Sequence, residues 1–356
     1  MHKTSWKPLV SVIVPVFDEA RRVTHLLRGL MQQSLLDLEV VVIDDGSTDG
    51  SSEILDDLSD RYYPRIRVFH TANQGPLLAR QTGIRESLGE YLAFCDCDDW
   101  PHQTMYETML KTACRNASDA VVCAYKRLDC IRDQSSTRMT HFGNICLSLH
   151  DDPGISLAVN AAIWNKLFRK DVLADAYLIS DKLQVGEDAL LWLLALTRIK
   201  QISFVSEPLY TYTVHYGSLV QSISTEHINA LFDGFRHARS HITEYASTML
   251  PLCDVMALMH LGVSMPLRLA LSIRRQSWTV INNIVWTLQH DFPLCLSHTY
   301  TSRKYNHTHH NINRNIAIAQ GVFRAHLATP ILQFIRSSSR WNLTSLPFQI
   351  VFRSLT

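Results

Sequence analysis

The sequence predicts an α/β fold, in which a doubly wound and mostly parallel sheet is followed by a mainly helical C-terminal extension. Strand and helix patterns alternate through the first third of the 356 residues. The strand segments are nearly continuous apolar runs, which is typical of parallel strands buried on both faces. Beyond Glu226 the apolar spacing becomes mainly helical. Repeated βα units of this kind build a sheet with helices on both sides.

The first third contains the most regular elements. Strands are predicted where β-branched and apolar residues run together, and helices where apolar residues recur three and four positions apart. The predicted order is a strand over 9–17, a helix over 20–33, a strand over 38–43, a helix over 51–58, a strand over 66–70, a helix over 75–87 and a strand over 91–95.

The middle of the chain is less regular. A strand is predicted over 119–126, a loop-rich stretch over 127–153, and a strand or the start of a helix over 164–169. The segment 187–197 begins acidic and continues apolar, which predicts a helix. Two short strands are predicted over 202–205 and 209–215.

Composition indicates a globular protein with a sizeable core, because 46% of the residues are hydrophobic and 19% are charged. The formal net charge of +1 hides an asymmetry, since Asp291 is the one acidic residue among 255–356, where ten residues are lysine or arginine. A basic tail fits an anionic membrane surface or phosphate groups, and an ordinary basic surface is the alternative.

Several patterns bear on the cellular location. We find no signal peptide before the first strand and no apolar run long enough to span a bilayer. The eight cysteines lack zinc-ribbon spacing. We therefore expect a cytoplasmic protein with reduced thiols, with peripheral attachment to the inner face of the plasma membrane as an option.

Carboxylates cluster where two predicted strands end. Asp44 and Asp45 follow the second strand, and Asp96, Asp98 and Asp99 follow the fourth in the stretch FCDCDDW. Ligands of open parallel sheets bind beyond the carboxyl ends of the strands. If both strands belong to one sheet, both clusters face the same edge.

The spacing within the second cluster favours a metal site over a solvated turn. Asp96 and Asp98 lie two positions apart and share one face of an extended segment, which leaves Cys95 and Cys97 on the other. Carboxylate oxygens without thiolates suit Mg²⁺ or Mn²⁺. Such an ion binds a few carboxylates together with substrate phosphates, where it neutralises charge on a leaving group.

Five motifs occur along the chain in this order: VSVIVPVFDEA, VVIDDGSTDGS, NQGPLLARQTGI, GEYLAFCDCDDW and GEDALLW. The set resembles the inverting family 2 glycosyltransferases of the GT-A fold, of the type that builds bacterial surface polysaccharides, and the resemblance covers residues 9–222. FDEA departs mildly from the usual Tyr-Asn-Glu-Glu, and Gln81 stands where asparagine is common. Neither departure removes a carboxylate that the chemistry needs.

The resemblance implies a nucleotide-sugar site on the turns after the first, second and fourth strands. Arg80 resembles an arginine that reaches toward the nucleotide, and pairing with an acidic neighbour is its alternative role. The implied residues are Pro15, Val16 and Phe17 at the nucleobase pocket, Asp44, Asp45, Gly46 and Ser47 in the turn that holds the base or ribose, Arg80, and Asp96 with Asp98 as the DxD motif. The candidate metal ligands are Asp98, Asp99 and Asp96.

Glycosyl transfer also needs a base that deprotonates the acceptor hydroxyl. The resemblance gives this role to the Glu-Asp pair at the start of a helix, here Glu187 and Asp188. Helix capping is the alternative, because the macrodipole stabilises acids in a first turn. With four other motifs upstream, Asp188 is predicted as the base and Glu187 as its support.

These observations predict an enzyme that transfers a sugar from a nucleoside diphosphate sugar, with a UDP-sugar as the first choice, to a glycan or lipid-linked acceptor. The predicted regions are a catalytic domain over 1–222, with a nucleotide-binding half over 9–126 and an acceptor half over 127–222, and a helical, basic region over 223–356. A non-catalytic binding module and a nucleotidyltransferase are the alternatives. We expect Mn²⁺ or Mg²⁺ as cofactor and no nucleic-acid partner.

Three side chains near these motifs are weaker candidates. Trp164 and Lys166, in WNKLFRKDVL, would flank the acceptor or pack in the core. His215 would reach the diphosphate, but a lone histidine is more often structural.

Overall fold

The computed structural model describes residues 6–296, apart from 141, 180–182, 184, 216–223, 265–282, 285 and 289. The predicted α/β class is confirmed, because a single sheet with helices packed on it dominates this part of the chain. Most of the basic segment over 255–356 lies outside the described residues.

Ten strands in the described part of the chain form one mixed sheet. They are β1 (Val10–Val16), β2 (Leu38–Asp44), β3 (Ile66–His70), β4 (Tyr91–Phe94), β5 (Trp100–Pro101), β6 (Ala120–Asp129), β7 (Gln134–Arg138), β8 (Cys146–Ser148), β9 (Lys166–Arg169) and β10 (Gln201–Val214). The order is β3-β2-β1-β4-β9-β6-β10-β5, with β7 beside β6 and β8 beside β10.

The first four strands pair in parallel, as predicted from their apolar runs. β9 enters antiparallel between β4 and β6, and the parallel arrangement returns between β6 and β10. Among the parallel strands, β1, β2 and β4 are buried along nearly their whole length, whereas β3 at the end of the strand order is mostly half-buried. Burial on both faces explains why these strands are apolar throughout rather than alternating.

The helices confirm the predicted pattern and add one that was missed. The described α-helices are α1 (Val23–Met31), α2 (Ser51–Tyr62), α3 (Pro76–Glu86), α4 (Met105–Asn116), α5 (Glu187–Leu196), α6 (Thr225–Tyr245) and α7 (Leu250–Ala257). Short 3-10 helices cover Pro153–Ala158, Lys170–Leu178, Ser247–Met249 and Pro293–Leu296, and a π-helix covers Leu258–Ser264. Among the described residues, no helix combines the length and the apolar composition that a bilayer crossing needs.

One prediction about elements was wrong and a second was incomplete. The two short strands expected over 202–205 and 209–215 are one strand, β10, whose register with β6 shifts on both sides of Pro208. Proline has no N–H to donate, so it bends the strand and breaks the ladder locally without ending it. The stretch expected to be loop-rich contains β7 and β8, which pair with the longer strands β6 and β10.

Contacts divide the chain into two compact units. The first comprises Met1–His150, Ala162–Tyr177 and Leu194–Ser218, and it contains the whole sheet with α1 to α4. The second comprises Asp151–Ala161, Leu178–Leu193 and Leu219–Thr356, and it contains α6, α7 and most of α5. The domain boundary predicted at residue 222 stays a prediction.

The second unit has an ion pair in its own core. Arg239 lies on α6 and donates from Nε and Nη2 to the Asp254 carboxylate, at 2.8 and 3.3 Å. The N–H of Leu294 donates to the same carboxylate at 2.9 Å. Asp254 is fully buried. Burial raises the pKa of Asp254, while Arg239 acts against that rise. The pair joins α6, α7 and the segment around Leu294.

Candidate active site

The carboxyl ends of β1, β2 and β4 lie side by side at one edge of the sheet. Val16, the last residue of β1, pairs with Asp44 at the end of β2, and Ile13 pairs with Phe94 at the end of β4. The turns that follow β2 and β4 carry the two acidic clusters. The predicted convergence of these clusters on one edge is therefore present, with β1 between them.

Several hydrogen bonds join the turn after β1 to the turn after β2 and the start of α2. The N–H of Asp18 donates to Ser47 Oγ at 3.1 Å, and the N–H of Thr48 donates to Asp18 Oδ1 at 2.7 Å. The N–H of Glu19 donates to Ser51 Oγ at 2.9 Å, and that of Ala20 donates to Asp49 Oδ2 at 3.0 Å. The predicted Ser47 thus holds the turn that follows the first strand.

Asp44 is buried and anchors the start of the second turn. Its carboxylate accepts from the Ser47 N–H at 3.1 Å and the Ser52 hydroxyl at 2.6 Å, and it lies 2.7 Å from His70 Nδ1. Burial works to raise the pKa of Asp44, but the donors from Ser47, Ser52 and His70 outweigh it and keep that pKa below its usual value. This environment matches the supporting role predicted for Asp44.

Asp45 holds the loop between β3 and α3. Its carboxylate accepts from the N–H groups of Gln74 and Gly75 at 2.9 and 2.7 Å, and from the Thr71 hydroxyl at 3.2 Å. Its neighbour Gly46 has φ +78°, and a Cβ there would lie 2.8 Å from the backbone nitrogen of Asn73. The turn after β2 and the loop after β3 therefore approach so closely that glycine is needed.

The three residues predicted at the nucleobase pocket differ in exposure. Val16 is buried in the core, Pro15 is half-buried and the Phe17 side chain is 47% exposed. Of the three, Phe17 presents its ring to solvent at the edge. Val16 contributes its backbone carbonyl, which accepts from the N–H of Asp45 at 2.8 Å.

Arg80 reaches from α3 to the first carboxylate of the second cluster. Its Nη2 lies 2.9 Å from Asp96 Oδ1, so the pairing that the sequence offered as its alternative role is present. The Arg80 side chain is buried, whereas the Asp96 carboxylate is 30% exposed. An arginine held this way places positive charge next to a carboxylate that still faces solvent.

Asp98 is the second partly exposed carboxylate of the cluster. Its Oδ2 lies 2.7 Å from Nε2 of His215, just after the end of β10. Both side chains are about one quarter exposed, the histidine at 24% and the aspartate at 26%. His215 is thus in contact with the predicted DxD motif.

Asp99 is fully buried and is hydrogen-bonded to β10. Its Oδ2 accepts from the Tyr210 hydroxyl at 2.8 Å, and its Oδ1 accepts from the N–H of Thr213 at 2.7 Å. Burial raises the pKa of Asp99 well above its usual value, and the nearby charges of Asp96 and Asp98 add to the rise. Both carboxylate oxygens are engaged by β10, which favours a structural role over the predicted metal contact.

The cysteines and the aromatic residue of this region pack in the core. Cys95 and Cys97 are buried while Asp96 and Asp98 are half-buried, which confirms the predicted alternation. Burial raises the pKa of both thiols well above the usual range, so they stay protonated at neutral pH. Trp164 stacks between Tyr210 and Tyr212.

Lys166 is also a core residue. Its side chain is fully buried, and its ammonium group donates to the carbonyl of Ala162 and to Asn165 Oδ1. Of the two roles open to Trp164 and Lys166, core packing is the one observed.

Glu187 and Asp188 begin α5 and belong to the second unit. Gly186 precedes them with φ +84°, and a Cβ on it would lie 2.9 Å from Leu231 Cδ1 on α6. This close approach fixes where α5 starts. Both carboxylates are half-buried in the first turn, where the macrodipole stabilises negative charge.

The described residues contain no group of three or more His, Cys, Asp or Glu side chains that could hold a metal ion. Asp96 and Asp98 nevertheless form a donor set of the right chemistry, because both are partly exposed carboxylates on one loop. Mg²⁺ commonly binds through one or two carboxylates and completes its coordination with waters and substrate phosphates. The residues present therefore fit such an ion.

Residues 11–175 match a family model described as Glycosyl transferase family 2. This region includes β1 to β9 and both acidic clusters. Residues 11–175 belong to glycosyltransferase family 2.

Curated relatives carry related names. EpsJ and EpsH of Bacillus subtilis, called an uncharacterized and a putative glycosyltransferase, are 31% and 30% identical over 228 and 225 residues. Each alignment covers 60% of this chain and 63% of the relative, so the chain spans a little under two thirds of their length. A cholesterol galactosyltransferase of Borreliella burgdorferi is 29% identical over 62% of this chain and 64% of its own.

Solved structures of S. aureus TarS 1-349 share the fold. The complex with UDP-GlcNAc superposes with a TM-score of 0.66 at 18% identity, over 89% of this chain and 92% of TarS 1-349. The complex with UDP gives a TM-score of 0.64 at 19% identity, over 88% and 91%. At this identity the likeness concerns the fold alone, and it confirms the predicted GT-A fold.

Three residues that the motifs did not single out complete the edge: His70, Tyr210 and Thr213. His70 ends β3 at the level of Asp44, so parallel pairing of the two strands was the signal that could have found it. Tyr210 and Thr213 lie more than one hundred positions after Asp99, at separations of 111 and 114. No local pattern links residues so far apart.

Proposed function

We propose that the chain is an inverting, metal-dependent glycosyltransferase. It moves a sugar from a nucleoside diphosphate sugar, with a UDP-sugar as the first choice, to a hydroxyl of a glycan or lipid-linked acceptor. The observation that supports this most directly is the shared edge of β1, β2 and β4, where carboxylates of two turns flank β1. Assembly of a bacterial capsule, exopolysaccharide or lipopolysaccharide is the proposed setting.

The nucleotide is proposed to bind along the turns after β1 and β2. The exposed ring of Phe17 offers a surface on which a base can stack. The backbone of Pro15, Gly46 and Ser47 is proposed to contact the base or ribose, and Asp45 is proposed to support these contacts by holding the loop after β3. The turns are held together by hydrogen bonds before any ligand is present, so little ordering would be needed on binding.

Asp96 and Asp98 are the proposed metal-binding carboxylates, and Mn²⁺ or Mg²⁺ is the proposed ion. When bound, such an ion would neutralise negative charge on the departing diphosphate. Arg80 keeps Asp96 in place on the loop, and His215 does the same for Asp98. Asp99 is proposed to hold the loop rather than the ion, because β10 engages both of its oxygens.

Asp188 is the proposed base, with Glu187 in support. A carboxylate within hydrogen-bond reach of the acceptor hydroxyl takes its proton as the oxygen attacks the anomeric carbon. Attack from the side opposite the leaving diphosphate inverts the configuration. The half-buried first turn of α5 provides a defined direction for each side chain.

The basic C-terminal region is proposed to bind anionic lipid on the cytoplasmic face of the membrane, which would bring the enzyme to a lipid-linked acceptor. Each lysine or arginine near an anionic surface contributes about 1 kcal/mol. The proposal rests on composition, since most of this region lies outside the described residues. Co-sedimentation with phosphatidylserine vesicles should fall at high salt, and binding that ignores both lipid charge and salt would contradict it.

A donor assay tests the proposed function. The chain is incubated with UDP-glucose, UDP-galactose, UDP-GlcNAc or GDP-mannose, with MnCl₂ or EDTA, and nucleoside diphosphate release is measured as the sugar is transferred to water in place of the acceptor hydroxyl. Metal-dependent release is expected with one donor, and Asp98→Ala should abolish it. Asp57→Ala is the matched control, because Asp57 lies exposed on α2 in an ion pair with Arg61.

The two alternative functions predict different results. Release of pyrophosphate in the presence of a sugar phosphate and a nucleoside triphosphate would indicate a nucleotidyltransferase. Binding of a nucleotide sugar without turnover would indicate a binding module. Full activity of the Asp98→Ala variant would contradict the metal assignment.

A further inference from the structure

The loop over 95–99, which follows β4, is held by β10. The hydroxyl of Tyr210 donates to Asp99 Oδ2 at 2.8 Å, and the backbone N–H of Asp96 donates to the same hydroxyl oxygen at 3.4 Å. The N–H of Thr213 donates to Asp99 Oδ1 at 2.7 Å. We call the Tyr210 hydroxyl, the Thr213 N–H and the Asp99 carboxylate the Asp99 bracket.

The bracket sets the orientation of the whole loop. The N–H of Asp99 donates to the carbonyl of Asp96 at 3.2 Å, so the loop closes on itself as a turn. Asp99 is fully buried, whereas Asp96 and Asp98 remain partly exposed. Fixing the buried side chain at one end of the turn therefore directs the other two carboxylates toward the edge.

Tyr210 itself cannot turn away from the loop. Its ring stacks on Trp164 with 4.7 Å between centroids and 16° between planes, and Trp164 stacks on Tyr212 at 5.2 Å and 6°. The edge of Tyr125 meets Trp164 at 4.8 Å. Tyr210 is also fully buried, so the position of its hydroxyl is determined by the aromatic stack rather than by solvent.

We propose that Tyr210 is a positioning residue, whose hydroxyl, through Asp99 and the backbone of Asp96, fixes the loop that presents Asp96 and Asp98 to the metal and the diphosphate. This inference rests on the proposed function for the metal and nucleotide. Tyr210 does not touch the ligand, and it acts on affinity by ordering the carboxylates before the ligand arrives. A site that is ordered before the ligand binds loses less conformational entropy on binding, so its affinity is higher.

Tyr210→Phe is the informative variant, because it removes the hydroxyl and keeps the ring in the stack. Tyr212→Phe is the matched control, since it removes the hydroxyl of the second tyrosine that stacks on the same tryptophan. Two measurements are made on wild type and both variants. The first is hydrogen exchange of peptides that cover 94–100, and the second is the affinity for UDP with MnCl₂ and with EDTA.

In Tyr210→Phe, exchange over 94–100 should become faster, while peptides from β2 exchange as in wild type. Affinity for UDP with MnCl₂ should fall roughly tenfold, the upper end of the net contribution of one hydrogen bond. Affinity with EDTA should stay the same, since the turns after β1 and β2 are intact. Tyr212→Phe should match wild type in both measurements.

The outcomes that overturn the inference are distinct from those that overturn the proposed function. Unchanged exchange over 94–100 in Tyr210→Phe shows that the hydroxyl does not order the loop. Faster exchange with an unchanged ratio of the two UDP affinities shows a role in folding alone. Both results contradict the inference. If wild type itself gains no affinity for UDP from MnCl₂, the proposed metal and donor are wrong, and the exchange measurement still decides whether the bracket orders the loop.

Discussion

Arg80 and Asp96 form an ion pair in which the cation is buried and the carboxylate is not: Nη2 lies 2.9 Å from Oδ1, and the side chains are 6% and 30% exposed. The pair joins α3 to the loop after β4. The positive charge is thus supplied by the core of the first unit, while the negative partner stays open to a ligand at the edge of the sheet.

Replacement of Arg80 by methionine should weaken donor binding more than it weakens the fold. Asp96 would lose its neutralising partner and add to the repulsion between the loop and an anionic diphosphate, so KM for the donor should rise tenfold or more. The free energy of unfolding should fall by roughly 1–3 kcal/mol, less than for a fully buried pair, because water reaches Asp96. Steady-state kinetics and denaturant melts measure the two effects.

Arg85→Met is the matched control for that change, since Arg85 lies exposed on the same helix and pairs with its neighbour Glu86. It should leave KM and stability close to wild type. Equal effects of the two variants would show that charge on α3, rather than the contact with Asp96, is what matters.

Asp188→Asn tests the proposed base. Asparagine keeps the shape of the side chain but cannot take a proton, so transfer should fall by roughly 10²–10⁴-fold while donor affinity stays unchanged. Glu187→Gln should lose less, because adjacent helical residues point about 100° apart and only one can face the acceptor hydroxyl. A dead Glu187→Gln variant beside an active Asp188→Asn variant would reverse the two roles.

Gly46→Ala should damage the site by displacing the loop after β3. The left-handed conformation alone costs a non-glycine residue roughly 1–3 kcal/mol, and the new Cβ would lie 2.8 Å from the Asn73 nitrogen. Gly50→Ala separates the two causes, because Gly50 has φ +91° and no atom within 4 Å of a built Cβ. The melting temperature should fall further in Gly46→Ala than in Gly50→Ala, and nucleotide affinity should fall in Gly46→Ala alone.

Stability should depend on pH through His70 and Asp44. The hydrogen bond to Asp44 raises the pKa of His70 despite its partial burial, and Asp56 adds to the rise. A raised histidine pKa stabilises the fold fully below its unfolded pKa of about 6.5, and this stabilisation is lost as pH rises through the folded pKa. The lowered pKa of Asp44 stabilises the fold above the unfolded value of about 3.9, and this is lost as pH falls through the folded pKa.

The contribution of His70 and Asp44 to the free energy of unfolding should therefore be greatest between roughly pH 4 and 6.5. His70→Gln should remove it, so the difference in unfolding free energy from wild type should shrink above neutral pH. The difference should stay below about 1 kcal/mol, because the exposed ring is screened by solvent. A difference that is constant from pH 5 to 9 would contradict the assignment.

The parallel strands could be predicted from sequence because each is a single apolar run with its own turn. The strand over 66–70 was predicted at its observed bounds, and β1, β2 and β4 within one or two residues. α4 was missed although Met105, Tyr106, Met109, Leu110 and Ala113 form its buried face. Polar residues between Trp100 and Asp119 dilute that spacing, so the pattern does not predict the helix.

The site was predictable where its chemistry is local. Asp44, Asp45, Asp96 and Asp98 follow directly from strand ends, since parallel pairing brings those ends to one edge. The structural role of Asp99 could not be predicted from the strand ends. Its sequence neighbours suggest a third ligand, and only the distant strand β10 shows that its oxygens are already engaged.

The long separation within the Asp99 bracket also has a consequence for synthesis of the protein. When the ribosome has released β1 to β4, every strand of the parallel edge exists, but Tyr210 lies 111 positions further on. At the usual speed of translation this interval lasts on the order of ten seconds. Until it ends, Asp99 has neither of its β10 donors, and three neighbouring carboxylates share a loop that nothing from β10 holds. A nascent or truncated chain that stops before Tyr210 therefore has the turns after β1 and β2 but lacks the β10 contacts that hold the loop over 95–99.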